Sequence, residues 1–221
     1  MRVHRKILTA LAISASVLML SPNVLAQDAA VPPTRSPVSA PIASTNIHEA
    51  GFRAYLLQVR QRALGEGVST ATLDRVLPSL SFNRTVVRLD KQQPEGASNA
   101  PVPNFAPYKA THVDASRIGR GRFKYSELRP LLERIEKETG VPEEIMIAIY
   151  GHETSYGAVM GNFSAPEALA SLAYDGRRRP LFEAELVAVL KMIDRGVPQY
   201  AITGSWAGAL GKPQFLPSVY L

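Results

Sequence analysis

A mainly α-helical fold is predicted by three features of the chain. Apolar residues recur every three to four positions in successive stretches, as along Phe52, Tyr55, Leu56, Val59 and Ala63, the spacing that lines one face of a helix. Helix-starting residues such as Ser69, Asp114 and Ser164 stand ahead of these stretches, where a side-chain oxygen can accept an otherwise unpaired backbone N–H. Glycine or proline then closes them, at Gly65, Pro78, Gly140 and Gly176. Any sheet within these residues is limited to short pieces.

The chain begins with Arg2, Arg5 and Lys6 ahead of an apolar run from Ile7 to Leu20 and a small-residue site at Val24-Leu25-Ala26. A basic head, an apolar middle and a cleavage site are the parts of a secretory signal, so residues 1–26 are expected to direct export and be removed. The run is shorter than the roughly 20 residues a membrane-spanning helix needs, which disfavours a retained anchor. The sequence has no cysteine, so neither a disulfide framework nor a lipidated cysteine is available, and a soluble mature product is expected. Loss of residues 1–26 takes Lys+Arg from 25 to 22 against 19 Asp+Glu, lowering the formal charge from +6 to +3. That charge suits an anionic polymer and serves ordinary solubility equally well. Without a dense basic stripe or a zinc or recognition-helix pattern, nothing points to nucleic acid.

Residues 27–45, rich in Pro, Ser and Ala and free of aromatic residues, bury too little to offset chain entropy and read as a disordered tether. The folded part is expected over 46–221. Its first helix spans His48 to Leu64, and Ser69 caps a short second one carrying Leu73, Val76 and Leu77. Proline and glycine punctuate residues 91–107, which read as a surface loop ending in the aromatics Phe105 and Tyr108. Asp114 caps a longer helix with Leu128, Leu131, Leu132 and Ile135, closed by Gly140.

Val141 to Gly157, VPEEIMIAIYGHETSYG, is the stretch that carries chemistry. Pro142 with Glu143 and Glu144 makes a good helix start, because proline loses no needed hydrogen bond there and acids favour the positive end of the dipole. Ile145, Ile149 and Glu153 are four apart, so a carboxylate continues an apolar stripe. If partly buried, its ionised form is penalised and its pKa rises towards values useful for proton donation. If the helix frays there, it is a solvated surface glutamate. Gly151 and Gly157 would let a backbone or ligand approach, and Tyr156 offers a flat surface of the kind sugar rings stack on. The short gap after Gly140 makes the two helices packed neighbours.

Further on, Ser164-Ala165-Pro166-Glu167 is a capping-box pattern, which assigns Glu167 to helix starting. Arg177, Arg178 and Arg179 precede a helix with Phe182, Leu186, Val189, Leu190 and Ile193. Three cations at a helix N-terminus oppose its dipole. They make either an anion site or a basic turn paired with Asp175, Glu183 or Glu185. The small residues of GSWAGALG, Gly204 to Gly211, permit close helix packing or close approach of a ligand.

Three runs, GHETSYGAVMGNF (Gly151 to Phe163), ALASLAYDGRRRPLFEAEL (Ala168 to Leu186) and GSWAGALGKPQFLPS (Gly204 to Ser218), together resemble the lytic murein transglycosylase B family. The resemblance implies a lysozyme-like, soluble lytic transglycosylase-like helical domain and a periplasmic enzyme, a carbon–oxygen lyase acting on peptidoglycan. It places Glu153 as the catalytic residue, with Ser205 and Gln214 lining the cleft beside it. Arg177 and Arg178 match paired arginines next to the glycan and its acidic peptide stems, while Arg179 falls outside that pair. Tyr108, in FAPYKATHV, matches a tyrosine that contacts the sugar chain; a tyrosine packing the loop onto the core is the other reading. Trp206 is expected in the core.

Ordinary glycosidases use two carboxylates, whereas the resemblance implies one. Glu153 would donate a proton between N-acetylmuramic acid and N-acetylglucosamine, then take one from the muramic C6 hydroxyl to close a 1,6-anhydro ring. No metal or organic cofactor is implied. Glycan strands are the implied partner, with proteins of cell-wall synthesis or division as further ones. The family domain continues past the PQFLPS segment, with more helices and cleft residues, so the chain reads as C-terminally truncated, a fragment or a short form. A non-catalytic peptidoglycan-binding remnant and a muramidase hydrolase stand as the alternatives.

Overall fold

The structure is a computed structural model, and it describes residues 42–93 and 104–221. The expected signal segment, the tether ahead of Ile42 and residues 94–103 of the expected loop lie outside the described residues. The described chain is mainly helical, as expected. Its first helix, α1, runs from Ile42 to Gly65 and so takes in residues 42–45, assigned above to the tether. Helix α2 (Thr70–Val76) starts where Ser69 accepts the Thr72 N–H at 3.2 Å, and Ser69 also bonds Asp194, tying this corner to the last long helix.

Two short helices bracket residues 94–103. Helix α3 (Arg84–Lys91) is capped by Asn83, which accepts the Val86 N–H at 3.1 Å, and it buries Val86, Val87 and Asp90. Helix α4 (Phe105–His112) is capped by Asn104 and buries nothing. Phe105 and Tyr108, expected at the end of a loop, therefore stand on a helix. The long helix α5 (Ala115–Thr139) is capped by Asp114, whose carboxylate accepts the Arg117 N–H at 2.7 Å. Gly140, at φ 74°, closes it in the left-handed conformation that glycine adopts without steric penalty. Helix α6 (Glu143–Thr154) follows at once and packs against α5, as the short connection requires.

The strands β1 (Phe163–Ser164) and β2 (Thr203–Gly204) pair antiparallel, with Phe163 opposite Gly204 and Ser164 opposite Thr203. Helix α7 (Ala165–Asp175) leaves β1 directly, and the expected capping box does not form. Ser164 makes no side-chain cap bond, and Glu167 reaches away to accept the Ser81 N–H at 3.1 Å. Ser164 is held in the ladder instead, and the following amide, Ala165 N–H, donates to the Ile202 carbonyl. Helix α8 (Arg179–Asp194) packs along α7.

The core sits between α1, α2, α3, α7 and α8, around Phe52, Leu73, Leu80, Leu169, Phe182 and Leu186. Burying such a side chain contributes about 1.5–3 kcal/mol. Trp206, expected in the core, is there. The α5–α6 pair is different. In α5 only Leu132 is buried, while Phe123 is 67% and Ile145 of α6 51% exposed. No described helix is long and apolar enough to cross a membrane.

Candidate active site

Helix α6 carries Glu153, and both of its ends are secured. At the start Pro142 is extended, and the Glu143 N–H finds an acceptor in the Glu136 carboxylate of α5 at 3.2 Å. At the end Ser155, Tyr156 and Gly157 follow one another at φ 52°, 62° and 84°. A left-handed non-glycine residue costs about 1–3 kcal/mol and persists only where its surroundings enforce it. Here Thr154, itself buried, accepts the Gly157 N–H at 3.0 Å through its hydroxyl and the Val159 N–H at 2.9 Å through its carbonyl.

Tyr156 is not the flat platform expected of it. Its ring lies over Gly151, and its hydroxyl donates to the Arg117 carbonyl at 3.2 Å, so it fills the seam between α5 and α6. A Cβ at Gly151 would stand about 2.6 Å from the Tyr156 hydroxyl oxygen, and one at Gly157 would meet the Tyr150 hydroxyl. The space beside both glycines is occupied by tyrosine.

Glu153 is half-buried, and burial is the whole cause that lifts its carboxyl above the ordinary glutamate value. With the ionised form penalised by lost hydration, the side chain keeps its proton to higher pH than a surface glutamate. This is the condition for a general acid.

The neighbouring His152 meets helix α4. The Tyr108 hydroxyl lies 3.4 Å from His152 Nε2, the Tyr108 ring stacks on His112 at 4.0 Å, and the two imidazoles are 5.7 Å apart. Burial, then the neighbouring His112 and Arg117, hold the His152 pKa below the usual histidine value. Tyr108 is thus brought to the helix that carries Glu153, but one face of its ring is taken by His112.

The segment after Glu153 docks on the loop that follows β2. Gly161 lies so close to the Gly204 carbonyl that no Cβ fits there. Gln214, buried and at φ 51°, donates its amide to the Met160 carbonyl at 3.3 Å and the Gly211 carbonyl at 2.8 Å. Ser205 accepts the Ala209 N–H at 3.0 Å. Both residues therefore hold backbone in this structure, rather than bonding the Glu153 carboxylate.

Arg177 and Arg178 are held together by a residue the sequence reading did not single out. Asp90 of α3, 1% exposed, pairs with both guanidinium groups. The acids proposed as partners are engaged elsewhere: Asp175 with Lys91, Glu183 with Arg62 and Tyr55, Glu185 with Ser218. Arg179 donates to the Ala173 and Tyr174 carbonyls at the end of α7. A signal for Asp90 was present, since it stands four residues after Val86 and continues an apolar stripe as Glu153 does. His112 and His152 had no such signal.

Two surface hollows, of about 340 and 620 Å³, lie against Glu167 and between α1 and α2; Glu153 lines neither. Among the described residues no group of three or more His, Cys, Asp or Glu is placed to hold a metal ion.

Residues 51–221 match the family described as the transglycosylase SLT domain. The chain is 33% identical over 160 residues to membrane-bound lytic murein transglycosylase B of Escherichia coli K12, covering 70% of this chain and 44% of that protein. Among solved structures, SltB3 of Pseudomonas aeruginosa in complex with NAG-NAM-pentapeptide superimposes with a TM-score of 0.68 at 33% identity, over 76% of this chain and 44% of that one. The Escherichia coli lytic transglycosylase Slt35 in complex with bulgecin A gives 0.65 at 30% identity, over 75% and 52%. These likenesses agree with the lysozyme-like, soluble lytic transglycosylase-like helical fold expected from the sequence. The chain spans about half the length of the relatives it matches.

Proposed function

The chain belongs to the transglycosylase SLT-domain family, and on that footing we propose that it is a peptidoglycan lytic transglycosylase with Glu153 as its single acid and base. The observation that carries the reading is a half-buried glutamate whose pKa is raised by burial alone, at the end of a helix secured at both ends. Protonated Glu153 gives its proton to the glycosidic oxygen between N-acetylmuramic acid and N-acetylglucosamine, and the C1–O bond breaks. The resulting carboxylate takes the proton of the muramic C6 hydroxyl as O6 bonds C1, which closes the 1,6-anhydro ring and regenerates the acid. No water is consumed, and an internal nucleophile has a large effective concentration.

Arg177 and Arg178 meet the carboxylates of the peptide stem, and Tyr108 borders the sugar chain. Ser205 and Gln214 shape the cleft beside Glu153 through the backbone they hold. The enzyme acts on glycan strands in the periplasm after loss of residues 1–26. The solved relatives named for complexes with NAG-NAM-pentapeptide and NAG-anhNAM-pentapeptide support a substrate and product of this kind.

The test is mass spectrometry of purified murein sacculi digested with the chain, beside Glu153→Gln of equal helical content. Anhydromuropeptides from the wild type, reduced about 10²–10⁴-fold in the variant, are expected. Reducing ends in their place make the protein a muramidase. A second reading is a protein that binds murein without cutting it, and the same digest separates the two. Retention on sacculi without release of any product would establish that reading instead.

A further inference from the structure

We infer that Asp90 is a positioning residue for the substrate site: it holds the guanidinium forks of Arg177 and Arg178 in the orientation that takes a carboxylate of the peptide stem. The inference rests on the proposal above that this arginine pair meets the acidic part of the substrate.

Asp90 stands in the last turn of α3 with its side chain 2% exposed. A buried carboxylate is costly unless paired, and a buried ion pair contributes little net stability compared with apolar packing. What the pairing does impose is geometry, because one carboxylate fixes two guanidinium groups. One oxygen pairs with Arg178 Nη2, and the other lies 3.3 Å from Arg177 Nη1. Arg177 also donates to the Asp90 and Gln93 carbonyls at the end of α3, where the helix dipole is negative. Arg178 is fixed differently: its guanidinium lies over the Phe182 ring at 4.7 Å, and its Nε is buried without a hydrogen-bond partner.

The outcome is asymmetric. Arg177 is seated deeply, its side chain 17% exposed, and Arg178 presents more of its fork, at 35%. Adjacent arginines free in solvent repel and sample many rotamers. Held on one carboxylate and one ring, they are ordered before a ligand arrives, which lowers the entropic cost of binding. A planar fork fixed in this way can meet a carboxylate with two parallel hydrogen bonds.

Orientation and plain charge predict opposite effects when Asp90 is neutralised. Asp90→Asn removes a negative charge, so a site working by charge alone binds an anion more tightly, and a site working by orientation binds it less tightly. Calorimetric titration of the full chain with NAG-NAM-pentapeptide, and with an N-acetylglucosamine tetramer that lacks any carboxylate, decides between them. The wild type is expected to favour the pentapeptide ligand. In Asp90→Asn its affinity falls about tenfold, in line with loss of an oriented charge-assisted contact, while affinity for the tetramer is unchanged. Arg178→Lys keeps the charge and loses the fork, and it is expected to lose the same preference. Should thermal melting show Asp90→Asn to be unfolded, Arg178→Lys decides, and an unchanged preference in it overturns the inference. Equal or tighter binding of the pentapeptide ligand by folded Asp90→Asn overturns the positioning role and leaves the arginine site standing. A wild type without preference removes the arginine site, and the inference with it.

Discussion

Two acids in this chain share one sequence signature and come to opposite ends. Glu153 and Asp90 each continue an apolar stripe at a spacing of four. Asp90 is enclosed with two guanidinium groups beside it, whereas Glu153 is half-buried and only lost hydration acts on it. Periodicity shows that a carboxylate faces inward; it cannot show which cation meets it from a distant segment, and Arg177 lies 87 residues from Asp90. The sign for Glu153 follows from its raised pKa. The folded state holds the proton more tightly than the unfolded one, so stability declines as pH rises from the unfolded value of about 4.5 through the higher folded one. Glu153→Gln is therefore expected to melt above the wild type at pH 7 and level with it below pH 4, as read by thermal unfolding followed by circular dichroism. Equal melting at both pH values would show that burial does not act on the carboxyl.

At the scale of elements, the long helices and the Ser69-capped α2 were legible, and α3 and α4 were not. Helix α5 carries its own caps, α6 opens on Pro142 with two acids, and both have enough turns for a repeating pattern. Helices α3 and α4 are eight residues each, below the length at which local propensity sustains a helix, so packing against other segments decides them. Helix α4 depends on the stack of Tyr108 with His112 and on the approach of Tyr108 to His152. Because the folded pKa of His152 is depressed, this contact is intact above the ordinary histidine value of 6.5 and is lost as pH falls through the lower folded value. There the charge gained by His152 is opposed by the neighbouring His112 and Arg117. Amide hydrogen exchange over residues 105–112, corrected for intrinsic rates, is expected to lose protection between pH 7.5 and pH 5. His152→Gln abolishes that dependence, and protection that ignores pH in the wild type would remove the histidines from the account.

Across the whole molecule, apolar burial is uneven. Helices α7 and α8 bury residues along most of their length, and α5 buries only Leu132. Sequence periodicity put Leu128, Leu131, Leu132 and Ile135 on one apolar face of α5, yet only Leu132 is buried and Leu131 stands exposed with Ile118 and Phe123; periodicity marks an apolar face without saying what covers it. The expected result is graded stability. Amides of α7 and α8 exchange only with global unfolding, while those of α5 and α6 open locally at lower free energy. Hydrogen-exchange mass spectrometry at rising denaturant resolves the two groups, and a single common opening energy would contradict this division. The same division places Glu153 on the less stable part and Asp90 with its arginines on the more stable one.

The Tyr156 ring occupies the volume that a side chain at either Gly121 or Gly151 would need. These three positions consequently behave as one letter of the sequence rather than three. Drift at either glycine is blocked while the ring stands, and a smaller residue at 156 leaves a void until a glycine grows to meet it. A library that varies position 151 alone is expected to return glycine, and one that varies 151 and 156 together to admit other residues there.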